Sequence, residues 1–122
     1  MGKSYTELLV WQKTMALAVD IYQVTQCFPK EKLYGLTSQI RRAAVSVPSN
    51  LAEGQSRYSN KEFRRFIGNA RGSLSELETQ RIIARELGYI DGAIADELLS
   101  RTAEIGGMLN GLYSSPALNN TE

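Results

Sequence analysis

The chain has no histidine and a single cysteine, Cys27. Without histidine it lacks the commonest general base and metal ligand, which excludes His-containing triads and the Glu-x-x-His metal sites of helical bundles. One cysteine excludes a disulfide within the chain and argues against a zinc site of the usual composition. Cys27 follows the predicted first helix beside Phe28, and we interpret it as a buried or half-buried apolar side chain. We therefore expect no enzyme activity, no metal site and no cofactor.

Long apolar runs and a large charge of one sign are also missing. No run approaches the roughly 18 apolar residues of a membrane span, and the segment MGKSYTELLVWQK does not resemble a signal peptide. The formal net charge is +1, so the composition as a whole does not indicate binding to a polyanion. The length of 122 residues corresponds to one domain. We expect a soluble, cytoplasmic protein that does not bind membranes.

Proline is scarce, and the apolar residues between the three prolines recur at helical spacing. The pattern predicts helices over about residues 7–26, 34–54, 60–87 and 91–112. Helices joined by short connections favour an all-α fold, an antiparallel up-down four-helix bundle over residues 1–113. The segment SSPALNNTE, residues 114–122, is predicted to be a disordered tail.

Local signals mark the ends of these helices. Ser59 and Glu62 form a capping box at the start of the third helix, and Asp91 is the predicted N-cap of the fourth. Gly88 is predicted to end the third helix, and Gly54 to end the second in the left-handed conformation.

Pro48 lies within the predicted second helix and lacks the N–H that would bond to the carbonyl of Ala44. The segment is therefore either one kinked helix or two short helices. The apolar pattern continues in phase across Pro48, which favours a kinked second helix.

The first predicted helix carries an unusually wide apolar face. One stripe contains Leu8, Trp11, Met15, Ala18, Val19 and Tyr22, and a second stripe contains Leu17, Ile21, Val24 and Phe28. A helix packed on one side of a monomer needs a narrower face. This helix therefore lies deep in the bundle, or another subunit covers part of it.

Basic residues are concentrated in the middle of the chain. Residues 41–85 contain nine Lys and Arg against four Glu. On the third helix Arg57, Lys61, Arg64 and Arg71 follow a spacing that places them on one side, with Arg65 beside them. Such a row can contact phosphates, and Tyr58 can stack on an unpaired base. The alternative is a solvated helix face whose charges are partly paired with Glu62 and along the helix.

A polar group is predicted between the second and third helices. Gln39, Ser46, Asn50 and Glu53 of the second helix are expected to face Ser73, Glu76 and Gln80 of the third. Arg42 is expected to pair with Glu76. The group either fixes the register of helices or subunits through hydrogen bonds or, less simply, binds a ligand.

Several long segments together resemble a known family. They are LLVWQKTMALAVDIY, FPKEKLYGLTSQIRRAAVSVPSNLAEGQSR, EFRRFIGNARGSLSELETQ and ARELGYI. Over about residues 5–92 they are similar to the four-helix-bundle proteins encoded in intervening sequences of bacterial 23S ribosomal RNA genes. The resemblance implies a ring-like homo-oligomer, a homopentamer, with a basic surface and RNA as the usual inferred ligand. A related branch serves diversity-generating retroelements, where the pentamer binds nucleic acid and a reverse transcriptase. Carried onto this chain, the implied nucleic-acid-binding positions are Arg41, Arg42, Arg57, Lys61, Arg64, Arg65 and Arg71.

Two functions follow as hypotheses. The first is a non-enzymatic, oligomeric nucleic-acid-binding protein, with RNA favoured, that uses a basic face on the second and third helices. The alternative is an oligomeric scaffold that binds another protein through the wide apolar face of the first helix. A small enzyme or ligand-binding bundle is a third class, which the missing histidine disfavours.

Overall fold

The computed structural model describes residues 4–119 and contains four α-helices within that range. They are α1 (Leu9–Thr25), α2 (Ser38–Gln55), α3 (Asn60–Glu86) and α4 (Gly92–Tyr113). Short 3-10 helices occur at Tyr5–Glu7, Lys30–Lys32 and Pro116–Leu118, and a π-helical turn at Leu33–Thr37 leads into α2. The described range contains no β-strand, so the predicted all-α class and the four helices are confirmed.

Contacts between neighbouring helices show that the helices alternate in direction. As one helix advances, its contacts on the neighbouring helix move backwards along the sequence. The contacts are Ser46–Ser73 and Gly54–Phe66 for α2 and α3, Arg85–Asp96 and Arg64–Tyr113 for α3 and α4, and Lys13–Glu104 and Asp20–Arg101 for α1 and α4. This arrangement agrees with the predicted antiparallel bundle. Ring-like assembly of several copies stays a prediction.

The third helix buries the stripe that its spacing predicts. Seven apolar side chains at helical spacing form this stripe, and all are buried: Phe63, Phe66, Ile67, Ala70, Leu74, Leu77 and Ala84. The wide face of α1 divides into two parts. Leu17 and Ile21 are buried in the core, whereas Val19 and Tyr22 remain 52% and 44% exposed.

The second helix runs through Pro48 without interruption. Pro48 is buried, and it is flanked in the core by Val47 and Leu51. The alternative of two short helices is therefore excluded. The kink at Pro48 stays a prediction.

Ser59, Asp91 and Gly88 mark helix ends as predicted, but the capping box is half formed, because the Glu62 side chain bonds to Arg65. Ser59 Oγ accepts a hydrogen bond from the Glu62 N–H at 2.9 Å, and Asp91 Oδ1 accepts one from the Ile94 N–H at 2.8 Å. Gly88 has a φ of 78°, in the left-handed region that favours glycine.

The prediction for Gly54 is wrong. Gly54 lies inside α2, which continues to Gln55, and among the described glycines positive φ occurs at Gly88. Its role is close packing, because a Cβ at this position would lie 2.6 Å from the Cβ of Phe66. The missing side chain lets the end of α2 pack closely against the start of α3, beside the turn that connects them.

The segment after α4 differs from the predicted disordered tail. Residues 116–118 form a 3-10 helix, and Leu118 packs against the core. The amide of Asn60 donates to the Ala117 carbonyl at 3.4 Å, which links the segment to the start of α3. Residues 120–122 lie outside the described residues, so the tail prediction is untested for them.

Candidate nucleic-acid interface

The predicted basic residues form two separate groups. Arg41 and Arg42 lie near the start of α2, beside the end of α1. The second group, here called the turn group, surrounds the α2–α3 turn and the first half of α3; its members are Arg57, Tyr58, Lys61, Arg64, Arg65 and Arg71. At 1.5 Å per residue, Arg42 lies about 20 Å from the end of α2. The structure therefore does not bring the predicted residues into one continuous row.

Two arginines of the turn group are held by neighbouring carboxylates and by one aromatic ring. Arg57 Nη2 lies 2.7 Å from Glu53 Oε2, and Arg65 Nη2 lies 2.9 Å from Glu62 Oε1. Both guanidinium groups also lie over the ring of Phe66, at 4.9 Å and 4.5 Å from its centroid. Their side chains remain 44% and 56% exposed. The predicted partial pairing of the basic face is confirmed for these residues.

The charge of Glu62 responds to this arrangement. The hydrogen bond from Arg65 is the largest effect and lowers the pKa of the Glu62 carboxyl. Burial opposes it, and the positive charges of Arg65, Arg57 and Lys61 lower the pKa further. The same hydrogen bond raises the pKa of Arg65. At neutral pH the carboxylate therefore cancels one positive charge of the turn group.

Arg64 and Arg71 hold the end of α4 against α3. Arg64 Nε donates to the Tyr113 carbonyl at 2.8 Å, and Arg64 Nη2 donates to Asn119 Oδ1 at 3.2 Å. The guanidinium groups of Arg64 and Arg71 lie 5.6 Å and 4.9 Å from the centroid of the Tyr113 ring. Arg64 thus has a structural role that the helical spacing did not reveal, because its partners lie some 50 residues away in sequence.

Lys61 and Tyr58 are exposed members of the turn group whose side chains form no hydrogen bond, ion pair or ring contact with the described residues. Tyr58 is fully exposed, at 101% of its reference surface. Lys61 is exposed, and it forms no ion pair with any residue that the structure describes. Both side chains can therefore meet a ligand without breaking a contact within the described chain.

Arg41 is engaged with the last turn of α1. Its Nε donates to Thr25 Oγ1 at 2.8 Å, its Nη2 donates to the Tyr22 carbonyl at 3.3 Å, and its guanidinium lies 4.7 Å from the centroid of the Tyr22 ring. A cation at this position complements the negative end of the α1 dipole.

The predicted pair between Arg42 and Glu76 is wrong. Glu76 Oε2 instead accepts a weak hydrogen bond from Gln80 Nε2 one turn along α3, at 3.5 Å. Arg42 is exposed and forms no ion pair within residues 4–119.

The predicted polar group between α2 and α3 is confirmed at its centre. The hydroxyls of Ser46 and Ser73 lie 2.8 Å apart, and Asn50 Nδ2 donates to the carbonyl and hydroxyl of Ser46 at 2.8 Å and 3.0 Å. The Ser46–Ser73 bond joins the two helices and Asn50 bonds to Ser46 from within α2, which supports the structural interpretation, whereas Glu53 pairs with Arg57.

A buried ion pair between Arg81 and Glu78 lies at the contact of α3 with α4, a position that the sequence did not predict. Arg81 is 7% exposed, and its Nε donates to Glu78 Oε1 at 2.8 Å. Glu78 also accepts a hydrogen bond from Thr102 of α4. A spacing of three residues favours a pair along one helix, but it does not reveal that the pair lies between two helices.

The exposed part of the wide apolar face borders a groove between α1 and α2, here called the α1–α2 groove. Its volume is about 470 Å³, and its lining includes Trp11, Met15, Val19, Val45 and Pro48. An apolar groove of this size on a small chain is typical of a contact surface. Cys27, predicted to be buried or half-buried, is exposed.

The described part of the chain has neither a membrane-spanning helix nor a metal-binding cluster. No helix within it is long and apolar enough to cross a membrane. Residues 4–119 also contain no group of three or more His, Cys, Asp or Glu side chains placed to hold a metal ion.

Comparison with known proteins assigns the chain to a family. Among solved structures, it is similar to the crystal structure of a protein of unknown function from the S23 ribosomal protein family of Bacteroides thetaiotaomicron, with a TM-score of 0.79 and 21% sequence identity over 88% of this chain and 100% of that one. At this identity the likeness supports a shared fold. Comparison with curated protein sequences gives no match. The family model described as 23S rRNA-intervening sequence protein matches residues 6–111, and the chain therefore belongs to the family of 23S rRNA-intervening sequence proteins.

Proposed function

We propose that the protein is a non-enzymatic homo-oligomer that binds nucleic acid, with RNA favoured, through the turn group. The observation that carries this proposal is an excess of positive charge around the α2–α3 turn. Five cations of the turn group lie there with two carboxylates, Glu53 and Glu62, which are both already paired. The description of the family, which refers to sequences within 23S rRNA genes, makes RNA the first ligand to test.

Phosphate contact is the mechanism that fits these residues. Lys61 offers an unpaired ammonium group, whereas Arg57 and Arg65 are held in exposed ion pairs that contribute little to stability. A phosphate can therefore replace or share the carboxylate partner at small cost. Stacking on Phe66 fixes both guanidinium groups without consuming their N–H donors. Such contacts bind a backbone and read few bases, while Tyr58 adds a surface on which an unpaired base can stack.

Oligomerisation is part of the proposal, because the α1–α2 groove leaves apolar side chains in solvent. Val19 is 52% exposed and Met15 is 39% exposed. A second copy of the chain offers a matching surface, since the paired ends of α3 and α4 also carry exposed apolar side chains, namely Ile82, Ile83, Leu87, Ile94 and Leu99. A head-to-tail contact between two different surfaces closes into a ring when the rotation permits. Repetition of the turn group around a ring increases avidity without new contacts in any one subunit.

The same groove favours the alternative function, a scaffold that docks another protein. Apolar docking depends weakly on salt, whereas phosphate contact weakens steeply as salt rises. Salt dependence therefore separates the two functions.

Binding to a structured RNA and to a DNA duplex tests the proposal, measured by fluorescence anisotropy over roughly 50 to 300 mM salt. The double variant Lys61→Gln, Arg65→Gln removes two charges from the turn group. The matched control Lys13→Gln, Arg85→Gln removes two charges from exposed ion pairs elsewhere on the bundle. We expect the turn-group variant to lower the slope of log affinity against log salt by about two, and the control to leave it nearly unchanged. Equal loss in both variants would show a non-specific charge effect, and no binding at the lowest salt would leave the scaffold function.

A further inference from the structure

A second cavity system lies at the opposite end of α2 from the turn group. Two cavities, of about 450 Å³ and 270 Å³, share Leu33 and Arg41 in their linings. Tyr34 and Arg42 line the first, and Phe28, Lys30 and Thr37 line the second. We call this surface the Arg41 pocket. The volume of the larger cavity lies in the range of small-ligand sites.

The charge of the Arg41 pocket is of one sign. Lys30, Arg41 and Arg42 line it, and no Asp or Glu is among the residues that line either cavity. Glu31, the adjacent acid in sequence, is exposed and lies outside both linings. Arg41 is committed to the end of α1, whereas Arg42 has no ion pair within residues 4–119. The pocket therefore favours an anionic ligand.

A buried hydroxyl points to a polar ligand group in the same place. Thr37 is 3% exposed, its Oγ1 has no hydrogen-bond partner among the described residues, and it lines the smaller cavity. Buried hydroxyls in folded proteins are normally partnered, so an unpaired one at a cavity wall needs an explanation. Rotation of the Thr37 side chain would turn the hydroxyl into the cavity, where a ligand oxygen or nitrogen would supply the missing partner.

The Arg41 pocket also contains an exposed aromatic ring. Tyr34 is 94% exposed and stands in the π-helical turn Leu33–Thr37, where Gly35 departs from helical geometry with φ −117° and ψ −112°. A ring this open to solvent, beside a guanidinium without an ion pair, offers a platform for stacking.

We propose that the Arg41 pocket binds one unpaired nucleotide of a single-stranded nucleic acid. Tyr34 stacks on the base, Arg42 and Lys30 contact phosphate, and the Thr37 hydroxyl pairs with a polar group of the nucleotide. This proposal rests on the proposed function and specifies it, because it names single-stranded segments as the preferred ligand. Tyr58 and the Arg41 pocket lie at opposite ends of α2, and a flexible strand can reach both. A regular duplex presents an unpaired base to neither.

The test compares a short oligouridine strand with an RNA duplex of equal phosphate count, using the full-length protein and anisotropy at one low salt concentration. We expect Tyr34→Ala to weaken binding of the single strand about tenfold and to leave duplex binding unchanged. Tyr34→Phe retains the ring and should restore wild-type affinity. Each variant is first checked by sedimentation for unchanged oligomer size.

A second variant, Thr37→Val, removes the hydroxyl while keeping the shape of the side chain. Because that hydroxyl is unpaired, we expect the variant to be at least as stable as the wild type in urea, yet to bind the single strand more weakly. A purely structural Thr37 would show the reverse, a loss of stability with unchanged binding, and would count against the pocket.

Different results would contradict the Arg41 pocket and the proposed function. Equal binding of the single strand by the wild type, Tyr34→Ala and Tyr34→Phe would overturn the pocket, while charge-dependent duplex binding through Lys61 and Arg65 would still stand. A change in oligomer size on Tyr34→Ala, with unaltered binding per assembled particle, would assign Tyr34 to a subunit contact and overturn the pocket as well. No binding of either RNA would overturn both proposals.

Discussion

Some arginine side chains of this protein stabilise the fold and others are available to a ligand, depending on the contacts that each one makes. Arg64 and Arg71 lie two turns apart on the same side of α3, and both approach the ring of Tyr113. Arg64 in addition donates to the Tyr113 carbonyl and to Asn119, whereas Arg71 has the ring contact. Arg64 and Arg71 hold equivalent positions in the helical pattern but make different contacts.

Replacement of Arg64 should therefore lower the free energy of unfolding more than replacement of Arg71. Arg64→Gln should lower the free energy of unfolding by about 1 to 2 kcal/mol, because two charge-assisted hydrogen bonds are lost at a partly buried site. Arg71→Gln is the matched control and should cost about 0.5 to 1 kcal/mol, the contribution of an exposed cation–π contact. Urea unfolding measures both. Equal midpoints for the two variants would show that the two hydrogen bonds of Arg64 do not stabilise the bundle.

Glu62 gives a prediction in terms of pH. Arg65 lowers the pKa of Glu62 below its ordinary value of 4.5, so the folded chain binds a proton less readily than the unfolded chain. The resulting stabilisation is present above the unfolded pKa and is lost as pH falls through the folded pKa. In Arg65→Gln the pKa of Glu62, followed by NMR titration of its side-chain carbon, should rise toward 4.5. An unchanged pKa would mean that Arg57 and Lys61, rather than Arg65, determine it.

Among the helices, α2 and α3 show how one missing side chain permits a close contact. A Cβ at Gly54 would stand 2.6 Å from the Cβ of Phe66 and 3.0 Å from Phe63 Cδ1, whereas a Cβ at Gly72 would meet nothing within 4 Å. Both glycines are helical, although the sequence predicted that Gly54 would end its helix.

We therefore expect alanine to have opposite effects at these two positions. Gly54→Ala should destabilise the protein by about 1 to 3 kcal/mol, because α2 and α3 must move apart to relieve overpacking. Gly72→Ala should stabilise it by up to about 1 kcal/mol, the ordinary gain in helix propensity. Thermal and urea unfolding of both variants provide the comparison. Stabilisation by Gly54→Ala would contradict the close contact, and destabilisation by Gly72→Ala would indicate that a second subunit covers α3 there.

Local signals were sufficient to predict the helices and most of their ends. Ser59 and Asp91 act within three residues of themselves, so their capping roles are readable from sequence. The polar group at Ser46 and Ser73 was also predictable, because both residues interrupt apolar stripes that must face each other. The close packing at Gly54 and the contacts of Arg64 with α4 were not predictable for one reason: each depends on a partner on another helix. Spacing along one helix cannot supply that partner.

Assembly links the apolar and basic features of the chain. The turn group in one copy is modest, since carboxylates already pair with two of its cations. The α1–α2 groove lies on different helices from most of the turn group, so a contact through the groove leaves Lys61 and Arg65 accessible. Oligomerisation and nucleic-acid binding are thus compatible on one small bundle.

A charge placed in the groove tests this link. Val19→Glu puts a carboxylate on the groove lining, at a position exposed in the single chain, so the fold should survive while association fails. Ala16→Glu is the control, because Ala16 is an exposed position of α1 that does not line the groove. We expect sedimentation velocity to show a smaller particle for Val19→Glu alone, and RNA affinity to fall by on the order of 10² as avidity is lost. A Val19→Glu protein of unchanged size would exclude the groove as the contact between copies. A smaller particle with full RNA affinity would instead show that one copy of the turn group is enough.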